Sequence, residues 1–188
     1  GGAGFPTGVK LAPQNLSEVD TLCINAAECE PLIKVDRQLL VEFTNEICAG
    51  MQMLTEAMGA KEGVIAVKKS YTASIEAINS CIGQYDKVRV HILPDIYPAG
   101  DEVITIYEVT GKVVAQGQIP ITQGCVVVNV ETVLNIYKKV TSGANGGNGT
   151  DAQGGIGGAG GVGSNGNHSN ATGGAGTNGQ NGNALEGA

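Results

Sequence analysis

Val19-Asp20-Thr21-Leu22-Cys23-Ile24-Asn25, running straight into Ala26-Ala27-Glu28-Cys29-Glu30-Pro31, is an apolar segment that turns abruptly polar. The first half reads as a buried strand entering a turn, and the second as a ligand-facing loop at the strand's C-terminal end. Open α/β sheets bind ligands outside the carboxyl ends of their strands, so this junction is a sensible place for chemistry. Glu28 and Glu30 flank a single residue and face opposite ways in an extended chain. They act as a pair only if the turn at Pro31 swings both inward; otherwise they are two solvated acids in a loop.

Downstream, the pattern alternates. From Asp36 to Gly59, Leu40, Phe43, Ile47, Met51, Leu54 and Met58 recur every three or four residues. That is one face of a long amphipathic helix, capped by Asp36 and stopped by Gly59. Gly63 to Lys68 is a short β-branched strand. Ser70 to Gly83 returns to helical spacing with Ile75, Ile78 and Ile82 behind a Ser70 cap, and Val88 to Leu93 is a third strand. Pro94 to Glu102 is a second polar, glycine-bearing loop after a strand. Val103 to Thr110 suits a strand by propensity and a helix by its Asp101 cap, with Gly111 as its end. Lys112 to Gln123 is a connection punctuated by glycine and proline. Cys125 to Val128 is a fourth strand, leading through Asn129 as a cap into a helix with Val130, Val133, Leu134, Tyr137 and Val140 on one side. Strands and helices in alternation predict an α/β fold, a mostly parallel sheet with crossover helices.

Upstream lies Gly1-Gly2-Ala3-Gly4-Phe5-Pro6-Thr7-Gly8-Val9-Lys10. Three glycines in four residues let a backbone approach a ligand closely and turn its N–H groups toward an anion. Phe5 offers a flat apolar face, and Lys10 a point charge suited to a phosphate or an electron-rich ring. Four junctions (before Val9, at Asn25, at Leu93 and at Val128) thus carry the unusual polar and glycine residues, while the helices are ordinary. A nucleotide-type site on an α/β sheet produces that segregation.

Composition divides the chain. All 11 basic residues, all six prolines and all five cysteines precede Ser142, whereas 18 of the 30 glycines lie from Gly143 onward. Residues 1–141 are long enough for one domain with its own core, and 142–188 read as a low-complexity tail. A net charge of −7 argues against nucleic acid or an anionic membrane as partner. No apolar run approaches the roughly 20 residues of a membrane span. Cys23, Cys29, Cys48, Cys81 and Cys125 form no Cys-x-x-Cys pair, so neither a zinc site nor an iron–sulfur cluster is readable, and free thiols in a reducing cytosol are expected.

The glycine loop, Asn25-Ala26-Ala27-Glu28-Cys29-Glu30-Pro31, Tyr97-Pro98-Ala99-Gly100-Asp101-Glu102 and Asn129-Val130-Glu131-Thr132 together resemble, in order and spacing, the NADH-oxidising, FMN-binding subunit of respiratory complex I. They are also similar to that subunit's relatives, the Rnf-complex C subunit and the cobalamin reductase of propanediol-utilising microcompartments. The second and third segments look closer to those two branches, and Asp101-Glu102-Val103 leans toward the cobalamin reductase. The resemblance runs from Gly1 to about Val140 and implies the Rossmann-like flavin domain, with a helix after Asp101. It implies that Gly2, Gly4 and Lys10 take the FMN phosphate and ring edge. Asn25, Glu28, Tyr97, Gly100, Asp101, Asn129 and Thr132 then complete the flavin pocket, while Phe5 stacks on NADH and Glu30 and Glu102 bind its polar groups.

The implied activity is hydride transfer from NADH to FMN and one-electron steps onward, to cobalamin or to an electron-acceptor protein within a larger redox complex. No side-chain acid or base is needed, since the flavin does the chemistry. The implied location is cytoplasmic, either peripheral to a membrane complex or inside a microcompartment. Ala27 stands where complex I has aspartate, and Val128 replaces a common asparagine. The chain starts without Met inside the glycine loop and lacks the family's β-grasp and iron–sulfur portions after Val140. It therefore reads as a piece of a longer protein, and the competing expectation is a non-catalytic scaffold or binding module on a glycine-rich tether. Within the tail, every third residue from Gly143 to Gly182 gives 14 positions, ten of them glycine. A three-residue period suits packed polyglycine helices; the same composition suits a disordered linker.

Overall fold

The computed structural model describes residues 7–11, 19–30 and 32–143. The glycine-loop residues Gly2, Gly4 and Phe5, the turn at Pro31 and the tail from 144 onward lie outside the described residues. Four strands, β1 (Thr21–Ala26), β2 (Glu62–Lys68), β3 (Val88–Leu93) and β4 (Cys125–Asn129), form one sheet in the order β3-β2-β1-β4. Every pairing is parallel. The chain steps outward from β1 to β3 and then returns to the other side of β1. Its direction of winding therefore reverses between β1 and β4.

Alternation along the strands sends successive side chains to opposite faces, and both faces are apolar. On one face Leu22, Ile24, Ile65, Val67, Val126 and Val128 pack with buried residues of α2 (Val35–Glu42), α3 (Thr44–Ala57), α4 (Thr72–Cys81) and α6 (Val130–Ser142). On the other, Cys23, Val64, Ala66 and Val127 meet Ile106 and Val109 of α5 (Glu102–Thr110). A short α1 (Thr7–Lys10) precedes β1. Close approach leaves little room for side chains where helices cover the sheet. A Cβ on Gly50 would stand 2.9 Å from Val133 Cγ1, and one on Gly63 would stand 2.5 Å from Thr55 Oγ1.

The expected helix after Asp101 is present. Asp101 Oδ1 accepts from the amides of Val103 (2.9 Å) and Ile104 (3.2 Å), and Gly111 ends the helix at φ 74°. Other expectations need correction. The single helix from Asp36 to Gly59 is two, broken at Phe43 (φ −125°, ψ 36°), where the Thr44 hydroxyl donates to the Leu40 carbonyl, a back-bond that bends helices. Asp36 is not the cap: α2 starts at Val35 behind Lys34, and Asp36 is only 8% exposed. Ser70 is not a cap either. Its amide and hydroxyl both donate to Asp95 Oδ1, and α4 begins at Thr72 and ends at Cys81. Val140, expected on the apolar side of α6, is 61% exposed.

Candidate functional site

The carboxyl ends of β1 and β4, together with the loop between β3 and α5, gather most of the described residues singled out from the sequence. Asn25, at the end of β1, donates from Nδ2 to the Gly100 carbonyl (2.8 Å) and accepts the Ala27 amide on Oδ1 (3.1 Å). Gly100 returns the contact: its amide donates to Cys29 Sγ (3.2 Å), while Cys29 Sγ donates to the Ala27 carbonyl (3.5 Å). Only glycine fits here, because a Cβ on Gly100 would overlap the Ala27 carbonyl oxygen and stand 2.7 Å from Cys29 Sγ. The two polar loops are therefore clasped through the Asn25 and Cys29 side chains onto the Gly100 backbone. Cys29 provides an acceptor inside that clasp, a role with no signature in the sequence.

Lys10 reaches this edge from α1. Its Nζ donates to Glu102 Oε1 (2.8 Å) and to the carbonyl of Val127 in β4 (2.9 Å). A lysine and a glutamate that the resemblance assigns to a flavin and a dinucleotide, 92 residues apart, thus form one ion pair.

Glu28 and Glu30 diverge. Glu30 is exposed, whereas the Glu28 side chain is 5% exposed and turns beneath α2. Its Oε1 accepts the Asp36 amide (3.1 Å), so Glu28 caps α2 from outside, and its Oε2 lies 3.5 Å from Arg37 Nε without a hydrogen bond. The Glu28 carbonyl is held by Lys68 Nζ (2.9 Å) and the Tyr71 hydroxyl (3.3 Å), and the Arg37 guanidinium stacks 4.4 Å over the Tyr71 ring.

Asp36 connects this loop to β4. Both of its carboxylate oxygens accept from Asn129 Nδ2 (3.1 and 3.0 Å), while Asn129 Oδ1 accepts the Glu131 amide (2.8 Å) at the start of α6. Burial pushes the Asp36 carboxyl up to about 6. The Asn129 hydrogen bond opposes that rise, and the negative charges of Glu28, Glu131 and Glu30 add to it. Asp36, Cys29 and Arg37 are the residues at this edge that sequence reasoning passed over as site residues. An acid–base pair, Asp36-Arg37, within two turns of the Glu28 loop was the available signal.

The remaining sequence candidates are placed less centrally. Asp101 is exposed, with its carboxylate turned onto the α5 amides; Tyr97 is 81% exposed; Thr132 is half-buried in the first turn of α6. All five cysteines are free, and burial pushes the Cys23 thiol up to about 12, which makes it inert. Among the described residues no cluster could hold a metal ion, and no helix is long and apolar enough to cross a membrane. An open groove of about 420 Å³ runs between α2 and α4, beside Lys34, Arg37 and Tyr71.

An anionic, planar, hydrogen-bonding cofactor suits this donor set. Amide side chains, a lysine and closely approached backbone converge at the strand ends where the winding reverses, the position at which open parallel sheets hold nucleotides.

Comparison with known proteins agrees. The family model of the Nuo51 FMN-binding domain matches residues 1–138. Cobalamin reductase PduS of Salmonella typhimurium is 49% identical over 140 residues, 74% of this chain and 30% of the relative. The C subunit of the Na(+)-translocating ferredoxin:NAD(+) oxidoreductase complex of Acetobacterium woodii is 36% identical over 143 residues, 76% of this chain and 32% of that relative. The crystal structure of an NAD+-reducing NiFe hydrogenase in its H2-reduced state superposes with a TM-score of 0.63 at 27% identity, covering 74% of this chain and 28% of that one. The chain thus spans less than a third of these relatives. With its parallel sheet, its clasped loops and that match over residues 1–138, the chain belongs to the family of Nuo51 FMN-binding domains, the type shared with cobalamin reductase PduS and the Rnf-complex C subunit.

Proposed function

We infer that the polar edge between β1 and β4 holds FMN and that the chain serves as an NADH-oxidising flavoprotein domain. The observation that carries this reading is the convergence of Lys10, Asn25, Gly100 and Asn129 at the point where the sheet reverses its winding. Bound FMN supplies an acceptor for hydride that releases electrons singly. Lys10, with backbone amides of Gly2 and Gly4, would hold the phosphate and the ring edge. Asn25, Glu28, Tyr97, Gly100, Asp101, Asn129 and Thr132 shape the pocket. Glu102, with Phe5 and Glu30, would form the NADH side. Onward transfer goes to cobalamin or to a redox protein in a larger assembly, as the names of the relatives suggest.

Titration of the purified chain with FMN, followed by NADH under anaerobic conditions, tests the reading. Uptake of flavin and bleaching of its visible bands are expected, and Lys10→Ala should weaken uptake. A folded, colourless chain that takes up no added FMN refutes it and leaves a non-catalytic binding module.

A further inference from the structure

Asp36 is buried, ionisable and surrounded by like charge, yet it sits at no helix cap and pairs with no cation among the described residues. Its neighbours explain its position. The Asp36 backbone amide holds Glu28 Oε1, while its two carboxylate oxygens hold Asn129 Nδ2. Asn129 is anchored on its other side by the Glu131 amide, so the orientation of its side-chain amide is determined only while both partners remain. One turn of α2 therefore fixes two candidate flavin contacts, one from the β1–α2 loop and one from β4, the latter across 93 residues of chain. We propose that Asp36 is a positioning residue for the flavin edge, orienting Asn129 through its carboxylate without itself touching the cofactor. This rests on the FMN reading above.

The charged groups around Asp36 are Glu28 and Glu30 from the β1–α2 loop and Glu131 from α6, all of which disfavour its ionised form. Arg37, on α2 itself, is paired with Glu28, and Lys68 at the end of β2 holds the Glu28 carbonyl. An anionic cofactor brought to this edge meets one more negative charge when Asp36 is ionised. The Asp36 contribution to FMN affinity should therefore change as pH crosses about 6 in the wild-type chain and not in Asp36→Asn.

The test is a double-mutant cycle on the full chain, with FMN binding read from quenching of flavin fluorescence. Asp36→Ala removes the carboxylate and leaves the backbone contact to Glu28. It should raise the dissociation constant about tenfold in the wild-type background, the loss expected for one charge-assisted hydrogen bond. In an Asn129→Ala background it should have less than about a twofold effect, because the group it orients is gone. Asp36→Asn keeps an acceptor for Asn129; it should bind within about threefold of wild type and lose the component of the pH profile centred near 6. Equal losses in both backgrounds, no loss with Asp36→Ala, or an Asp36→Asn profile parallel to wild type would overturn the positioning role while leaving the FMN reading standing. A wild-type chain that binds no FMN overturns both.

Discussion

Replacing Asp36 by asparagine should make the protein more stable at neutral pH and no more stable in acid. The Asp36 carboxyl is raised from 3.8 to about 6 in the folded chain, first by burial and then by Glu28, Glu131 and Glu30, against the Asn129 hydrogen bond. Between those two values the folded state keeps a proton that the unfolded state has released. Stability therefore falls as pH rises through the window and is level above about 6. At about 1.4 kcal/mol per tenfold change in proton affinity, the ionised carboxylate costs about 3 kcal/mol at pH 7.5. Asparagine has no such penalty but offers one acceptor where aspartate offers two, a loss of about 1 kcal/mol. The net gain at pH 7.5 should be about 1–2 kcal/mol, shrinking to nothing or reversing by pH 4.5. Urea unfolding followed by far-UV circular dichroism at several pH values between 4.5 and 8 measures both curves. Wild type and Asp36→Asn should diverge through the window; parallel curves would mean that the buried carboxyl is solvated or compensated, and the reasoning fails.

Three further substitutions probe the same edge. Gly100→Ala should lower stability by about 1–3 kcal/mol and reduce FMN uptake, since its Cβ would displace the Ala27 carbonyl and Cys29; an unchanged urea midpoint would show that the clasp yields freely. Cys29→Ala should lose about 1 kcal/mol by leaving the Gly100 amide without its acceptor, and Cys29→Ser should restore part of it in the same measurement. Lys10→Ala should change stability by less than about 1 kcal/mol, because its ion pair with Glu102 is 25% and 43% exposed. The flavin dissociation constant of that variant should nevertheless rise, and an unaltered titration would remove Lys10 from the site.

The architecture was legible because its signals are local. Short segments rich in β-branched residues marked all four strands, and Asp101 and Gly111 announced the ends of α5 against a strand-like composition. Both devices act within one helical turn of themselves. What stayed hidden has partners far along the chain. Asp36 and Ser70 have the side chains of helix caps, and both engage other loops instead: Asp36 reaches Asn129, and Ser70 reaches Asp95. The α2 start is capped by Glu28, from the preceding loop, rather than by its own first residues. Periodicity joined α2 and α3 because the break at Phe43 preserves the apolar face on both sides, so the spacing of Leu40, Ile47 and Met51 carries no trace of it. Glu28 and Glu30 could not be separated by pattern, since their divergence depends on which of them Asp36 receives.

Three departures from local consistency gather at one edge. Both faces of the sheet are continuous apolar layers, and the helices covering them follow ordinary spacing. The forced glycine at 100, the buried acid at 36 and the buried carboxylate oxygen of Glu28 without a hydrogen-bond donor all lie along the carboxyl edge, beside the reversal of winding. A sequence selected for stability alone would replace Asp36 with a neutral residue, as the pH argument requires. Retaining a destabilising group where two candidate cofactor contacts converge is the arrangement expected of a site whose geometry matters more than its contribution to folding. The two Asp36 experiments separate these alternatives. Stabilisation by Asp36→Asn together with non-additive loss of FMN affinity in the Asp36→Ala, Asn129→Ala cycle means that the carboxylate is kept for binding. Stabilisation with additive losses means that it is kept for neither.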